Sequence, residues 1–297
     1  MTDPVVVGVD GSPPSEMAAQ YAADAAVRRS APLMLVHGYL HPFRYGVPFD
    51  PYAVRLPPPS DEAVQMLDEL AAELRTTHPD LTVATRQAPG GPAAALIDAS
   101  QHAQLLVVGS RGHGGFSGLL LGSVSAQVTA HAHCPVLVVR PPEPPGSAAK
   151  PDAGPVVVGV DGSAASALAA AFAADEAVRR DTKLIAIHIW SLDASTPPRS
   201  TYEETEATAG AAAEALLAGA AAEAQRNHPE LNIERQLVHA LDPTQRLLDA
   251  SRNAGLLVVG SRGRGGFSGL LLGSTSQALA HHAHCPVVIA HPHGHRG

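Results

Sequence analysis

Apolar and polar positions along the chain fall into two rhythms. Short runs of consecutive apolar residues recur at 4–10, 33–38, 81–87, 105–108 and 135–139. Runs of that length predict strands buried on both faces, as in a parallel sheet. Between them lie stretches of helical period. Pro13 and Pro14 suit a helix's first turn, and Arg28 and Arg29 suit its C-terminal dipole end, so one helix is predicted up to about Arg29. Val64, Leu67, Leu70 and Leu74 mark one face of a helix over 61–77. Further helices are predicted over 93–101 and 123–131. Strands alternating with helices predict βαβ units and an α/β fold. His41 to Ser60, rich in Pro and aromatics, predicts an ordered loop.

The whole pattern then occurs a second time. Asp10 pairs with Asp161, His37 with His188, Gly109 with Gly260 and Cys134 with Cys285, each pair 151 residues apart. A constant offset from end to end predicts two copies of a domain, over 1–141 and 155–297. The proline-rich stretch between them, 142–154, predicts a semi-rigid linker. In the second copy, Leu192 to Thr208 reads as a more acidic loop and the alanine-rich stretch over 207–224 as a packing helix. The tail from His291 reads as disordered.

Composition narrows the function. A net charge of −8 leaves no basic face to replace phosphate counterions, which argues against nucleic acid as a partner. No apolar run approaches the ~20 residues of a membrane span. The N-terminal Met-Thr-Asp-Pro lacks the basic and apolar regions of a signal peptide, so a cytoplasmic protein is expected. The only cysteines, Cys134 and Cys285, occupy equivalent positions and read as structural thiols in a reducing compartment.

The most informative motif is also duplicated. Leu105 to Ser123 reads LLVVGSRGHGGFSGLLLGS, and Leu256 to Ser274 differs from it only by Arg264 in place of His113. Glycines let backbone approach a ligand closely. Ser123 and Ser274 are placed to cap the following helix, whose free N–H groups and dipole favour an anion. A plain turn would also be duplicated, so repetition alone does not decide. The context does: a strand before, a helix after, and an Asp at the end of strand one. Neither lysine, Lys150 nor Lys183, lies in the loop and no GxxxxGK[ST] occurs, which excludes a Walker-type site.

Gly109-x2-Gly112-x9-Gly122-Ser123, its copy Gly260-x2-Gly263-x9-Gly273-Ser274, and V-G-V-D-G-S at each domain start resemble the ATP-binding branch of the universal stress proteins. The resemblance covers both halves and is similar to the tandem, mycobacterial-type members. It implies, for each half, a five-stranded parallel sheet in order 3-2-1-4-5 with helices on both faces, adenine nucleotide alpha hydrolase-like, and one ATP per domain. The ligand would lie where strand order reverses. Asp10 and Asp161, with Gly8 and Gly159 just before them, would approach the adenosine. Gly38 and Ile189 would line the adenine. Gly38 departs from the apolar side chain the family often carries there, so the second site is expected to bind more tightly. Gly109, Gly112, Gly122 and Ser123 would cradle ribose and phosphates, with Val108, Ser110, Arg111, His113, Gly114, Gly115 and Val124 beside them in the nucleotide site. Gly260, Gly263, Gly273 and Ser274 would do so in the second copy, with Val259, Ser261, Arg262, Arg264, Gly265, Gly266 and Thr275 beside them. Arg111, Arg262 and Arg264 either add charge near the phosphates or are solvated loop arginines. Mg²⁺ could join ATP near Asp10 and Asp161.

Two weaker signals remain. His131-x-His133-Cys134 and His281-His282-x-His284-Cys285 carry metal-ligand types, but a helix end before a Pro-led strand accounts for them, and no certain metal site is expected. The last strand of each half lies at a sheet edge, and such edges pair with other chains. The two halves are expected to pack about a pseudo-two-fold axis and the chain to form a homodimer. The expected function is a nucleotide-dependent regulator in a stress or dormancy response. The alternatives are a slow ATPase or nucleotidyl-transfer enzyme on the same scaffold and a flavodoxin-like flavin binder.

Overall fold

The computed structural model describes residues 2–39, 60–112, 121–141, 154–192, 202–263 and 271–291. The expected loop at 41–60 (up to residue 59), the linker at 142–153 and the tail beyond His291 lie outside the described residues. The rest forms two compact units, one ending at Pro141 and the other beginning at Gly154.

The first unit runs β1 (Val5–Gly8), α1 (Pro13–Arg28), β2 (Leu33–Tyr39), α2 (Asp61–Thr77), β3 (Val83–Pro89), α3 (Pro92–Ala99), a 3-10 turn over Ser100–His102, β4 (Leu105–Gly109), α4 (Ser123–His131) and β5 (Val136–Val139). Its strands lie in the order β3-β2-β1-β4-β5, all parallel. The second unit runs β6 (Val156–Gly159), α5 (Ala164–Arg179), β7 (Leu184–Trp190), α6 (Tyr202–Asn227), β8 (Ile233–His239), α7 (Pro243–Ser251), β9 (Leu256–Gly260), α8 (Ser274–His282) and β10 (Val287–Ala290). Its order is β8-β7-β6-β9-β10, again parallel. Both units therefore have the expected 3-2-1-4-5 topology.

The central strands form because nothing in them opposes burial. Val5, Val6 and Val7 are all buried, as are Val156, Val157 and Val158. Successive strand side chains point to opposite faces, so both faces of each sheet are covered. At roughly 1.5–3 kcal/mol per fully buried aliphatic side chain, these strands anchor each unit. Helix α1 lies close to its sheet because its inner face is alanine: Ala18, Ala19, Ala22, Ala23 and Ala26 are buried. It ends in a turn closed by Ser30 N–H to Val27 O and Ala31 N–H to Ala26 O, with Ser30 at φ 49°.

Two element starts differ from expectation by more than one residue. Strand β3 begins at Val83 rather than Leu81, because Leu81 N–H still closes a turn on His78 O. Helix α6 begins at Tyr202, inside the stretch expected as loop, because the Glu- and Ala-rich run from 202 has high helix propensity.

Candidate functional site

Each site is assembled where β1 or β6 lies between neighbours whose order reverses. Just past β6, Val160 N–H donates to Ile187 O at 2.8 Å, and His188 Nδ1 donates to Val160 O at 2.6 Å. A carbonyl only accepts, so the proton sits on Nδ1. Val9 and His37 repeat the arrangement, at 2.9 Å to Val36 O and 2.8 Å from Nδ1 to Val9 O. Both histidines thus pin the chain immediately before the aspartate.

The aspartate then organises the turn into the next helix. Asp161 Oδ1 accepts from Ser163 N–H at 2.9 Å, and Ser166 Oγ accepts from Gly162 N–H at 3.1 Å. Gly162 takes φ 78°, which an L side chain adopts only at a cost. In the first unit Asp10 Oδ1 accepts from Ser12 N–H at 3.0 Å and from Ser12 Oγ at 2.6 Å, and Gly11 takes φ 79°. One carboxylate oxygen thus fixes the turn. The other, Oδ2, faces the glycine loop: a Cβ on Gly263 would stand 2.5 Å from Asp161 Oδ2, and one on Gly112 would overlap Asp10 Oδ2. The missing side chain of the middle glycine in each motif leaves room for that carboxylate oxygen.

The loop itself is pinched at its base. Gly122 N–H donates to Ser110 O at 2.7 Å and Gly273 N–H to Ser261 O at 2.8 Å. Gly109 and Gly260 permit the first turn of α1 or α5 to lie against the strand end: a Cβ on Gly260 would meet the Ala165 carbonyl carbon at 2.7 Å, and one on Gly109 the Pro14 oxygen at 2.7 Å. Ser125 Oγ donates to Gly109 O, and Ser276 Oγ to Gly260 O, both at 2.7 Å.

The expected capping role of Ser123 and Ser274 is corrected. The N-cap residues are Gly122 and Gly273, and no side chain caps either helix. Ser123 and Ser274 are the first helical residues, while the third residue of each helix, Ser125 or Ser276, turns its hydroxyl back to the strand. The uncapped first turn presents backbone N–H groups and the positive end of the helix dipole to an incoming anion.

In the second unit these elements enclose a cavity of about 500 Å³. Of the expected residues, Gly159, Asp161, Ile189, Val259, Gly260, Arg262, Gly263, Gly273, Ser274 and Thr275 line it. Ser261 does not; it is buried, with its N–H on Ala290 O. Arg264, Gly265 and Gly266, and likewise His113, Gly114 and Gly115, lie outside the described residues. Sequence reasoning missed Val160, Ser166, Pro243, Leu247, Leu272 and Ser276, which also line the cavity. A signal existed for several. Ser15, Pro92, Leu96 and Ser125 recur 151 residues later as Ser166, Pro243, Leu247 and Ser276.

In the first unit Asp10, Gly109, Ser110, Arg111, Gly112, Gly122, Ser123 and Val124 occupy the equivalent backbone positions, and Val108 is buried on β4. Gly8 makes room for Leu96, whose Cδ1 would lie 2.7 Å from a Cβ there. Gly38 lies under the start of α3, where a Cβ would overlap Pro92 Cα.

The chemistry is divided within the cavity. Asp161 supplies acceptors suited to hydroxyl groups. The glycine loop, Arg262 and the α8 N-terminus supply donors and positive charge. Cys134 and Cys285 lie elsewhere, and burial pushes both thiols up to about 12, so they remain protonated at neutral pH. Among the described residues no three His, Cys, Asp or Glu side chains converge as a metal-ligand group.

This geometry coincides with a match at the level of family. The model of the universal stress protein family matches residues 1–140 and again 153–291. The chain belongs to the universal stress protein family. It is 38% identical over 294 residues to a universal stress protein of Mycobacterium tuberculosis, covering 96% of this chain and 95% of that protein. It is 39% identical to one from Mycolicibacterium smegmatis, covering 97% of each. Among solved structures, a universal stress protein from Archaeoglobus fulgidus superposes with a TM-score of 0.68 at 21% identity, over 97% of this chain and 96% of that one, a likeness of fold. As a tandem universal stress protein it carries the domain twice. No helix among its described residues is long and apolar enough to cross a membrane.

Proposed function

We propose that this universal stress protein is an ATP-binding regulator with one nucleotide site per domain, acting through nucleotide-dependent conformation or assembly. The observation that carries the reading is the convergence of Asp161 and Gly263 beside an uncapped helix N-terminus in a cavity of about 500 Å³. A carboxylate would repel phosphate, so it belongs with ribose hydroxyls. The glycine loop and helix end belong with the phosphates. The volume suits a mononucleotide, since small-molecule sites run from about 300 to 1,000 Å³. Mg²⁺, if it accompanies ATP, would sit on the phosphate side within reach of Asp10 or Asp161. A homodimer acting in the cytoplasm, in stress or dormancy, completes the proposal.

The test is the small molecule released when freshly purified protein is denatured, identified by chromatography and mass, with an Asp10→Ala/Asp161→Ala double variant alongside. ATP that is lost in the double variant supports a stable ATP-binding module. Mostly ADP would favour a slow ATPase. No nucleotide, and no binding of added ATP, would sink the reading.

A further inference from the structure

The two domains differ at the position that the family resemblance sets against the base, Gly38 in the first and Ile189 in the second. In the first, Gly90 and Gly91 both take positive φ, 108° and 94°. Both N–H groups reach Tyr39 O, at 3.2 and 3.3 Å. This turn folds the start of α3 down onto the end of β2. Any side chain at Gly38 is excluded: a Cβ would overlap Pro92 Cα and stand 2.8 Å from Pro92 N. These are backbone atoms, so no rotamer change relieves the clash.

In the second domain Leu241 and Asp242 replace the two glycines, and neither has positive φ. Asp242 has φ −114° and caps α7, its Oδ1 accepting from Thr244 N–H at 2.9 Å and Gln245 N–H at 3.1 Å. Only Ala240 N–H reaches back to Trp190 O, at 3.0 Å. The turn is more open, and Ile189 occupies the position of Gly38. It packs against the core around Leu247 and Val259 and lines the cavity.

The aspartate turns differ as well. Ser12 Oγ donates to Asp10 Oδ1, whereas Ser163 Oγ accepts from Ser166 N–H and donates to Arg262 O, tying α5 to the second glycine loop.

From this we infer that the two sites are unequal: the second domain holds nucleotide tightly on Ile189, and the first, with backbone in place of that side chain, is a weak site that fills only at higher nucleotide concentration. One chain would then hold one nucleotide constitutively and sense a second. The inference rests on the ATP reading above. Losing the apolar contact of an isoleucine on a base weakens binding on the order of tenfold or more.

The test is isothermal titration of the full-length chain, stripped of nucleotide, with ATP. Two classes of site are expected, one equivalent each, separated by at least about tenfold. Asp161→Ala is expected to remove the tight class and Asp10→Ala the weak one. Ile189→Gly, with Ile189→Ala in case glycine unsettles the strand, is expected to bring the tight class down to the weak. Equal constants in the wild-type chain, or a tight class lost with Asp10→Ala, would overturn the inference while leaving ATP binding intact. No heat at either site would overturn the ATP reading and the inference together.

Discussion

Gly263 stands so close to Asp161 that a Cβ would come within 2.5 Å of Oδ2. The atom it would meet is the end of a side chain that rotates. An alanine there is accommodated by turning the carboxylate away, at little cost to the fold. Gly263→Ala is therefore expected to lower stability by less than about 1 kcal/mol while weakening ATP binding in the second domain about tenfold or more. Calorimetric unfolding beside ATP titration checks it. A large stability loss, or unchanged affinity, would contradict it.

Gly260 makes the opposite case, though both glycines belong to one motif. A Cβ there would meet the Ala165 carbonyl carbon at 2.7 Å and its oxygen at 2.8 Å. That is helix backbone, which moves only if α5 moves. Gly260→Ala is expected to cost about 2 kcal/mol or more, as overpacking does. The loss should register in the calorimetric transition even without nucleotide. A variant as stable as the parent would show that α5 has room to shift.

The contrast between these glycines marks how far the sequence could be read. The alternation of strands and helices and the duplication were legible because short apolar runs, helical periods and a constant offset all point the same way, whereas the strand order followed only from the family resemblance. The loop was legible as a motif, since Gly109, Gly112 and Gly122 recur together. What each glycine does was not, because it depends on whether Pro14 or Asp10 lies opposite, and that is a tertiary fact. Gly38 was legible as a departure, yet its cause lies in the turn at Gly90 and Gly91, distant in sequence. The capping role of Ser123 and Ser274 failed by one residue: the chain turns helical after glycine, so the serine falls inside the helix.

The buried thiols give a pH signature. Burial raises Cys134 and Cys285 from 9.0 to about 12. A pKa raised on folding means the folded state binds the proton more tightly. Their contribution is fully present below about pH 9 and is lost as pH climbs from 9 towards 12, at up to about 1.4 kcal/mol per pH unit for each thiol. The double Cys134→Ala/Cys285→Ala variant is expected to lose stability less steeply over that window. Denaturant unfolding at pH 8, 9.5 and 10.5 measures the slopes, and parallel slopes would refute the assignment. In the native protein at pH 8 both thiols are expected to resist iodoacetamide, and to react once the chain is unfolded.

Ser276 ties the first turn of α8 to the end of β9, its hydroxyl donating to Gly260 O at 2.7 Å from a buried position. The bond aims the uncapped helix end into the cavity, because Gly273 as N-cap has no side chain to do so. Ser276→Ala removes that tie to β9, leaving the Thr275–Thr244 hydroxyl contact at 3.2 Å between α8 and α7, and is expected to cost about 1 kcal/mol of stability. If aim matters, affinity for ATP falls further than that, because the phosphate donors lose their preorganisation. Ser276→Thr keeps the hydroxyl and is expected to restore affinity even if its extra methyl lowers the melting temperature. Titrations of both variants, read against their unfolding, separate the roles. Affinity that tracks stability alone in both would mean Ser276 only packs the helix.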